Sequence, residues 1–255
     1  MDFPVTRGVL DGAESFVHAL ASMLPDPVRV PVLESFRWEH PVKTSEAAQV
    51  AKAVRACSGL RAAMHLADAG YTVECGVLLR VVSDYSAEII YLGEGLVEGR
   101  LTPDQAKFLE QHFNPMPTDP GELAAREREY YVGRKDIAKA HRRLNEKYGA
   151  PADQFAEIAS YLNKGYDSLV HGTNQSAMEL YSGLTNQFML HGHESKRYIC
   201  SAKTSVAGKL KEFLNALRIM AITRHVQALH DEINEAWKRL DASQEDVGVL
   251  CRGLK

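Results

Sequence analysis

The chain has 255 residues, 45% hydrophobic and 25% charged, with a net charge of −3. That length suits one large domain or two small ones, and the balance is that of an ordinary soluble globular protein. The small negative charge gives no bulk signal for binding nucleic acid or an anionic membrane, and no run approaches the ~18 apolar residues of a membrane span.

The N-terminus, MDFPVTRGVLDGAESF, has neither a basic head nor a long apolar run, so no secretory signal is expected. Cys57, Cys75, Cys200 and Cys251 are scattered without a CxxC spacing. They read chiefly as small core residues in a reducing compartment, and a cytoplasmic location away from membranes is the expectation.

Residues 9–24 predict a short amphipathic helix with Phe16, Leu20 and Leu24 on one side. Prolines between Pro25 and Val42 exclude a long helix there, leaving an extended arm that Phe36 and Trp38 are expected to pin to the body. Thr44 or Ser45 then caps a helix running to Ala69, where Gly70 ends it. Its inward stripe reads Val50, Val54, Cys57, Leu60, Met64 and Ala67, and its alanines allow a neighbouring helix close approach. The short turn at Ala69-Gly70 predicts an antiparallel hairpin with the next helix.

That next helix, Tyr71 to Glu98, is the most apolar stretch of the chain. Tyr71, Cys75, Leu78, Val82, Tyr85, Ile89, Leu92 and Leu96 form a seam at helical spacing. Arg80, Asp84 and Glu88 are its only charges between Cys75 and Leu92, and their i, i+4, i+8 spacing makes them one stripe. Such a stripe either opens into a polar cleft or forms an internal ion-pair network.

Downstream, Thr102 caps a brief helix in TPDQAKFLEQHF, and NPMPTDPG breaks the chain. A helix from about Pro120 to Tyr148 carries eight Lys or Arg against four Asp or Glu between Arg126 and Lys147, the mixed charge of a solvated face. The next helix has Phe155, Ile158, Leu162, Tyr166 and Leu169 as its buried stripe and ends at His171-Gly172. Residues 183–200 read as an irregular loop or small hairpin. One long helix then runs from about Lys203 to Leu240, burying Val206, Leu210, Phe213, Leu214 and Leu217 and later Ile233 and Trp237. The closing residues SQEDVGVLCRGLK show no pattern. No stretch alternates convincingly. The predicted fold is therefore all-α, a multi-helix bundle built on a long antiparallel helical hairpin. The N-terminal helix and Pro-rich arm occupy 1–43, the bundle 44–240 and a tail 241–255.

His171 is the most notable titrating residue. Asp167 lies one turn before it and suits holding the imidazole in one tautomer, while Lys164 and Ser168 share its helical stripe. A histidine so held suits proton transfer in phosphodiester cleavage, and Arg80 suits charge on phosphoryl oxygens. A histidine at a helix C-terminus before glycine is also an ordinary structural ending. No Glu-x-x-His pair, Gly-rich phosphate loop or GxSxG motif occurs, and His191-Gly192-His193 lacks further ligands. Neither a metal nor a cofactor is expected.

The segments LLRVVSDYSAEIIYL (78–92) and YLNKGYDSLVHG (161–172) resemble an uncharacterised bacterial family of helical proteins, itself similar to the HEPN superfamily. The resemblance covers roughly residues 45–175. It implies a helical bundle that binds RNA or a nucleotide, or cleaves RNA without metal, in a defence or toxin system, and that forms a homodimer. Together with the spacing of these residues, it points to His171, Arg80 and Asp167 for catalysis and to Lys164, Asp84 and Ser168 for substrate binding. Lys164 stands where HEPN nucleases carry an arginine, and it lacks the bidentate guanidinium fork. The alternative is a non-enzymatic helical scaffold or protein-interaction module, with the charged stripe as internal wiring.

Overall fold

The computed structural model describes residues 2–32, 35–113, 134–147, 169–170, 178, 180–182, 185–246 and 251. Among them seven helices carry the fold and the strands form two short antiparallel hairpins, so the chain is all-α as its periodicity predicts. The helices are α1 (Pro4–Ala21), α2 (Ser45–Asp68), α3 (Thr72–Val97), α4 (Pro103–Phe113), α5 (Arg134–Lys147), α6 (Lys196–Thr223) and α7 (Gln227–Ser243). The strands are β1 (Val28–Val32) with β2 (Ser35–Glu39), and β3 (Tyr181–Ser182) with β4 (Gln187–Phe188).

Local chemistry sets the α2–α3 hairpin. The Thr44 hydroxyl accepts from the Ala47 amide at 3.3 Å, filling one of the orphan donors of the first turn. At the other end Gly70 takes φ +84°, Tyr71 N–H donates to the Leu66 carbonyl at 2.8 Å, and Gly70 N–H donates to that of Ala67 at 3.2 Å. This is a Schellman ending, which needs the left-handed residue that glycine supplies. Inside the hairpin α2 buries Ala53 and Ala56, which turns Val54 outward to 48% exposure. The expected stripe is corrected there, because the alanines and not the valine enter the core.

The hub of the bundle is α6, which packs against α1, α2, α3 and α7. Val206, Leu210, Phe213, Leu214 and Leu217 are fully buried on it, as the seam predicts. The single helix expected from Lys203 to Leu240 is instead two. His225 adopts φ +55°, and Val226 N–H reaches back to the Ala221 carbonyl at 3.0 Å. Neither glycine nor proline marks this break, which is why periodicity runs straight through it.

Val9, Leu10, Ala13, Val17 and Leu20 place α1 in the same core as α2, α6 and α7. The closing residues, patternless in sequence, secure it. The Glu245 carboxylate accepts from Thr6 N–H at 2.8 Å and Val5 N–H at 3.3 Å, a negative charge seated on the first turn of α1. Asp246 pairs with Lys211 at 2.7 Å. Asp68 at the end of α2 joins Lys203 of α6 (2.6 Å) and Arg7 of α1 (2.5 Å). Burial raises the Asp68 carboxyl, but hydrogen bonds from Lys203 and Arg7 outweigh it and hold the group below its ordinary range.

Two sequence expectations fail outright. Cys57 and Cys75 are buried free thiols, pushed up to about 11 and about 12 chiefly by burial, but Cys200 is bonded to Cys251. The arm is a β-hairpin in which Val28 pairs with Glu39 and Val32 with Ser35, and Phe36 and Trp38 are 43% and 62% exposed instead of pinned. Its strands are only five residues each and proline interrupts one of them, so the alternation is too brief to stand out.

Candidate functional site

The charged stripe of α3 runs from the interior to the surface. Arg80 is 3% exposed and pairs with Asp84 one turn on, whose side chain is 40% exposed. Glu88 turns toward α2, where it meets the Lys52 ammonium at 2.5 Å. Between the two pairs, Ser83 faces α6. Its hydroxyl donates to Glu212 Oε1 at 2.6 Å and accepts from Lys209 Nζ at 2.9 Å, and Lys209 also reaches Glu212 Oε2 at 2.6 Å. The result is a polar triangle across the α3–α6 interface. The stripe is stable inside the bundle because Arg80 meets Asp84 on its own helix and Glu88 meets Lys52 of the neighbouring one.

At the α4 end the network meets aromatic surface. Lys52 Nζ lies 5.0 Å from the Phe108 ring centroid and 5.9 Å from that of Tyr85. Gln105 holds α4 in place: Thr102 and Gln105 form a reciprocal capping box, and the Gln105 amide donates to the Tyr91 carbonyl at 2.7 Å. Glu94, 7% exposed, accepts from Gln105 at 3.2 Å and from Arg143 of α5 at 2.9 Å.

His112 sits beside Lys52. Burial first, and the Lys52 charge second, push its imidazole from 6.5 down to about 4. The folded value lies below the unfolded one, so its contribution is intact above pH 6.5, declines as pH falls, and is fully lost near pH 4. With water still reaching the half-buried ring, the loss is about 1–2 kcal/mol. Replacing His112 by Gln is expected to flatten this part of the stability profile, read by urea denaturation between about pH 7 and pH 4.5. An unchanged profile would mean that the ring is solvated.

Of the residues singled out in sequence, Arg80 and Asp84 are together, bonded one turn apart. His171, Asp167, Lys164 and Ser168 lie outside the described residues. Lys52, Ser83, Lys209 and Glu212 were missed. Lys209 carried a signal: it sits on the apolar face of α6, three residues after Val206 and four before Phe213, where a lysine needs an internal carboxylate. Among the described residues no cluster of His, Cys, Asp or Glu could hold a metal ion, and no helix is long and apolar enough to cross a membrane. Compared with known proteins, the chain matches no family model, no curated protein and no solved structure.

A second concave surface lies away from this network. Between α1 and α7 a cleft of about 380 Å³ is floored by Gly8, Val9, Gly12, Phe16 and Ala236. Its α7 rim carries Asp231, Glu232 and Glu235 against one cation, Arg239. The glycine pair was visible in sequence, but the opposing acidic wall comes from a helix more than two hundred residues later.

Proposed function

We propose that the chain is a non-enzymatic helical scaffold that works through contacts with other proteins. One observation carries this reading: Arg80, the cation best suited to an anionic ligand, is 3% exposed and bonded to Asp84. The adjoining lysines, Lys52 of α2 and Lys209 of α6, likewise meet carboxylates, Glu88 and Glu212. Thermal melting with RNA oligonucleotides and nucleoside triphosphates tests it. A ligand at a hundred times its Kd would raise Tm by about 5–10 °C in a chain this size. The scaffold reading expects no rise. A rise that disappears in Arg80→Met would overturn it.

One observation favours a second reading. The Asp84 side chain is 40% exposed, so a phosphate arriving from solvent could compete for the Arg80 guanidinium. On this HEPN-like reading the protein binds a nucleotide or cleaves RNA as a homodimer. His171, oriented by Asp167, would be the acid and base, with Arg80, Lys164 and Ser168 on the phosphate. RNA cleavage by the wild type, lost in His171→Ala at unchanged Tm, would establish it.

A further inference from the structure

The β1–β2 arm has an unmet need for cover. Two strands alone are marginal in water, yet Trp38 is 62% exposed, Phe36 43% and Val28 46%. Cross-strand pairing of Arg29 with Trp38 and Pro31 with Phe36 puts these four side chains on one face. The Arg29 guanidinium lies 3.7 Å from the Phe36 centroid, and the two aromatic rings meet edge-on at 5.8 Å. This face is apolar and aromatic, and its one charge is positive.

The α1–α7 cleft has the complementary properties. It is concave, apolar at its floor, and rimmed by Asp231 and Glu232, by Glu235, which Lys238 already holds at 2.7 Å, and by Arg239. Gly8 and Gly12 lie inside an 18-residue helix, where each costs about 0.5–1 kcal/mol relative to alanine. The bundle's own packing does not require them. An added Cβ would meet only Arg239 Nη2 at 3.8 Å or the Phe16 ring at 3.9 Å, ordinary contact distances. What the glycines provide is depth, with room for an indole or phenyl ring from outside.

We infer that the arm of one copy seats its Trp38 face in the α1–α7 cleft of a second copy. Arg29 then faces the acidic rim, and Phe36 and Trp38 leave water. The arm joins the bundle where α1 ends and α2 begins. Antiparallel packing of α1 and α7, with Gly8 beside Arg239, puts the start of α7 at that same end. Each arm is therefore rooted near the Asp231 end of its own cleft, and mutual exchange closes into a two-fold dimer with two identical contacts. The inference goes beyond the scaffold reading and does not rest on it, since a nucleotide-binding protein could assemble in the same way.

The test is the mass of the full chain by sedimentation across a concentration series. The wild type is expected to move from 28.3 kDa toward twice that mass. Trp38→Ser, which removes the anchor, and Gly12→Leu, which fills the cleft, are each expected to stay monomeric with Tm unchanged or, for Gly12→Leu, raised. An equimolar mixture of the two variants is expected to recover part of the dimer, since each mixed pair keeps one intact arm and one open cleft. If Gly12→Leu lowers Tm, Glu232→Lys on the rim replaces it, with the same loss of dimer expected. A wild type monomeric up to about 100 μM, the range expected of contacts this small, would overturn the inference. So would a dimer that survives both cleft variants, or a mixture that remains monomeric.

Discussion

Gly70→Ala is expected to destabilise the protein by about 2–5 kcal/mol, from two penalties that add. The first is conformational: Gly70 has φ +84°, in the left-handed region where a Cβ is crowded by its own carbonyl. The second is steric. The new methyl would lie 2.3 Å from the His193 carbonyl oxygen and 2.9 Å from its nitrogen. These are backbone atoms, held by the 2.7 Å hydrogen bond from His193 N–H to the Gly70 carbonyl, and cannot rotate aside. Relief requires the segment leading into α6 to lift from the α2–α3 turn, loosening the helix that carries Lys203 and Lys209. Urea denaturation measures the cost, and a loss below about 1 kcal/mol would show that this segment is not seated there. Gly12→Ala should act in the opposite sense, gaining about 0.5–1 kcal/mol, because its methyl meets only the Phe16 ring, at an ordinary contact distance of 3.9 Å, on a helical backbone.

Glu212→Ala is expected to cost about 2–3 kcal/mol. Glu212 is the carboxylate of the α3–α6 triangle, accepting from Ser83 at 2.6 Å and from Lys209 at 2.6 Å. The Lys209 side chain is 4% exposed, so removing the Glu212 carboxylate takes a charged partner from an ammonium that water barely reaches. Glu212 itself is 27% exposed, and water entering its place keeps the cost below that of a fully buried pair. Glu212→Gln retains the acceptor for one of the two donors and should lose roughly half as much. Chemical denaturation reads both variants. A fall of less than about 0.5 kcal/mol in Glu212→Ala would mean that the triangle is no part of what holds α3 to α6.

These two sites mark what the chain states locally and what it leaves to assembly. Gly70 after an alanine-rich helical stretch announces a helix end, and Thr102 with Gln105 announces a start. Each involves groups within a few residues, so the α2–α3 hairpin and the entry to α4 are legible without a structure. Arg80, Asp84 and Glu88 were legible as a stripe for the same reason: helical geometry orders neighbours at i and i+4. Their direction was not. Whether Arg80 is buried, and whether Ser83 finds Lys209 and Glu212, depends on a helix over a hundred residues away.

The failures share that origin. Trp38 was expected against the body because exposing an indole is costly, yet it stays 62% exposed. His225 breaks a helix without glycine or proline, since histidine enters the left-handed region when the packing of α7 against α6 and α1 favours it. Cys200 and Cys251 looked unrelated at a separation of 51 residues. By itself, then, the sequence determined the α2–α3 hairpin, the caps at Thr44, Gly70 and Thr102 and the all-α class, because hydrogen bonds and periodicity act over one or two turns. Tertiary structure alone decided which charges are enclosed, which aromatics remain bare and where a cleft opens, because burial is set by whichever distant segment covers a side chain.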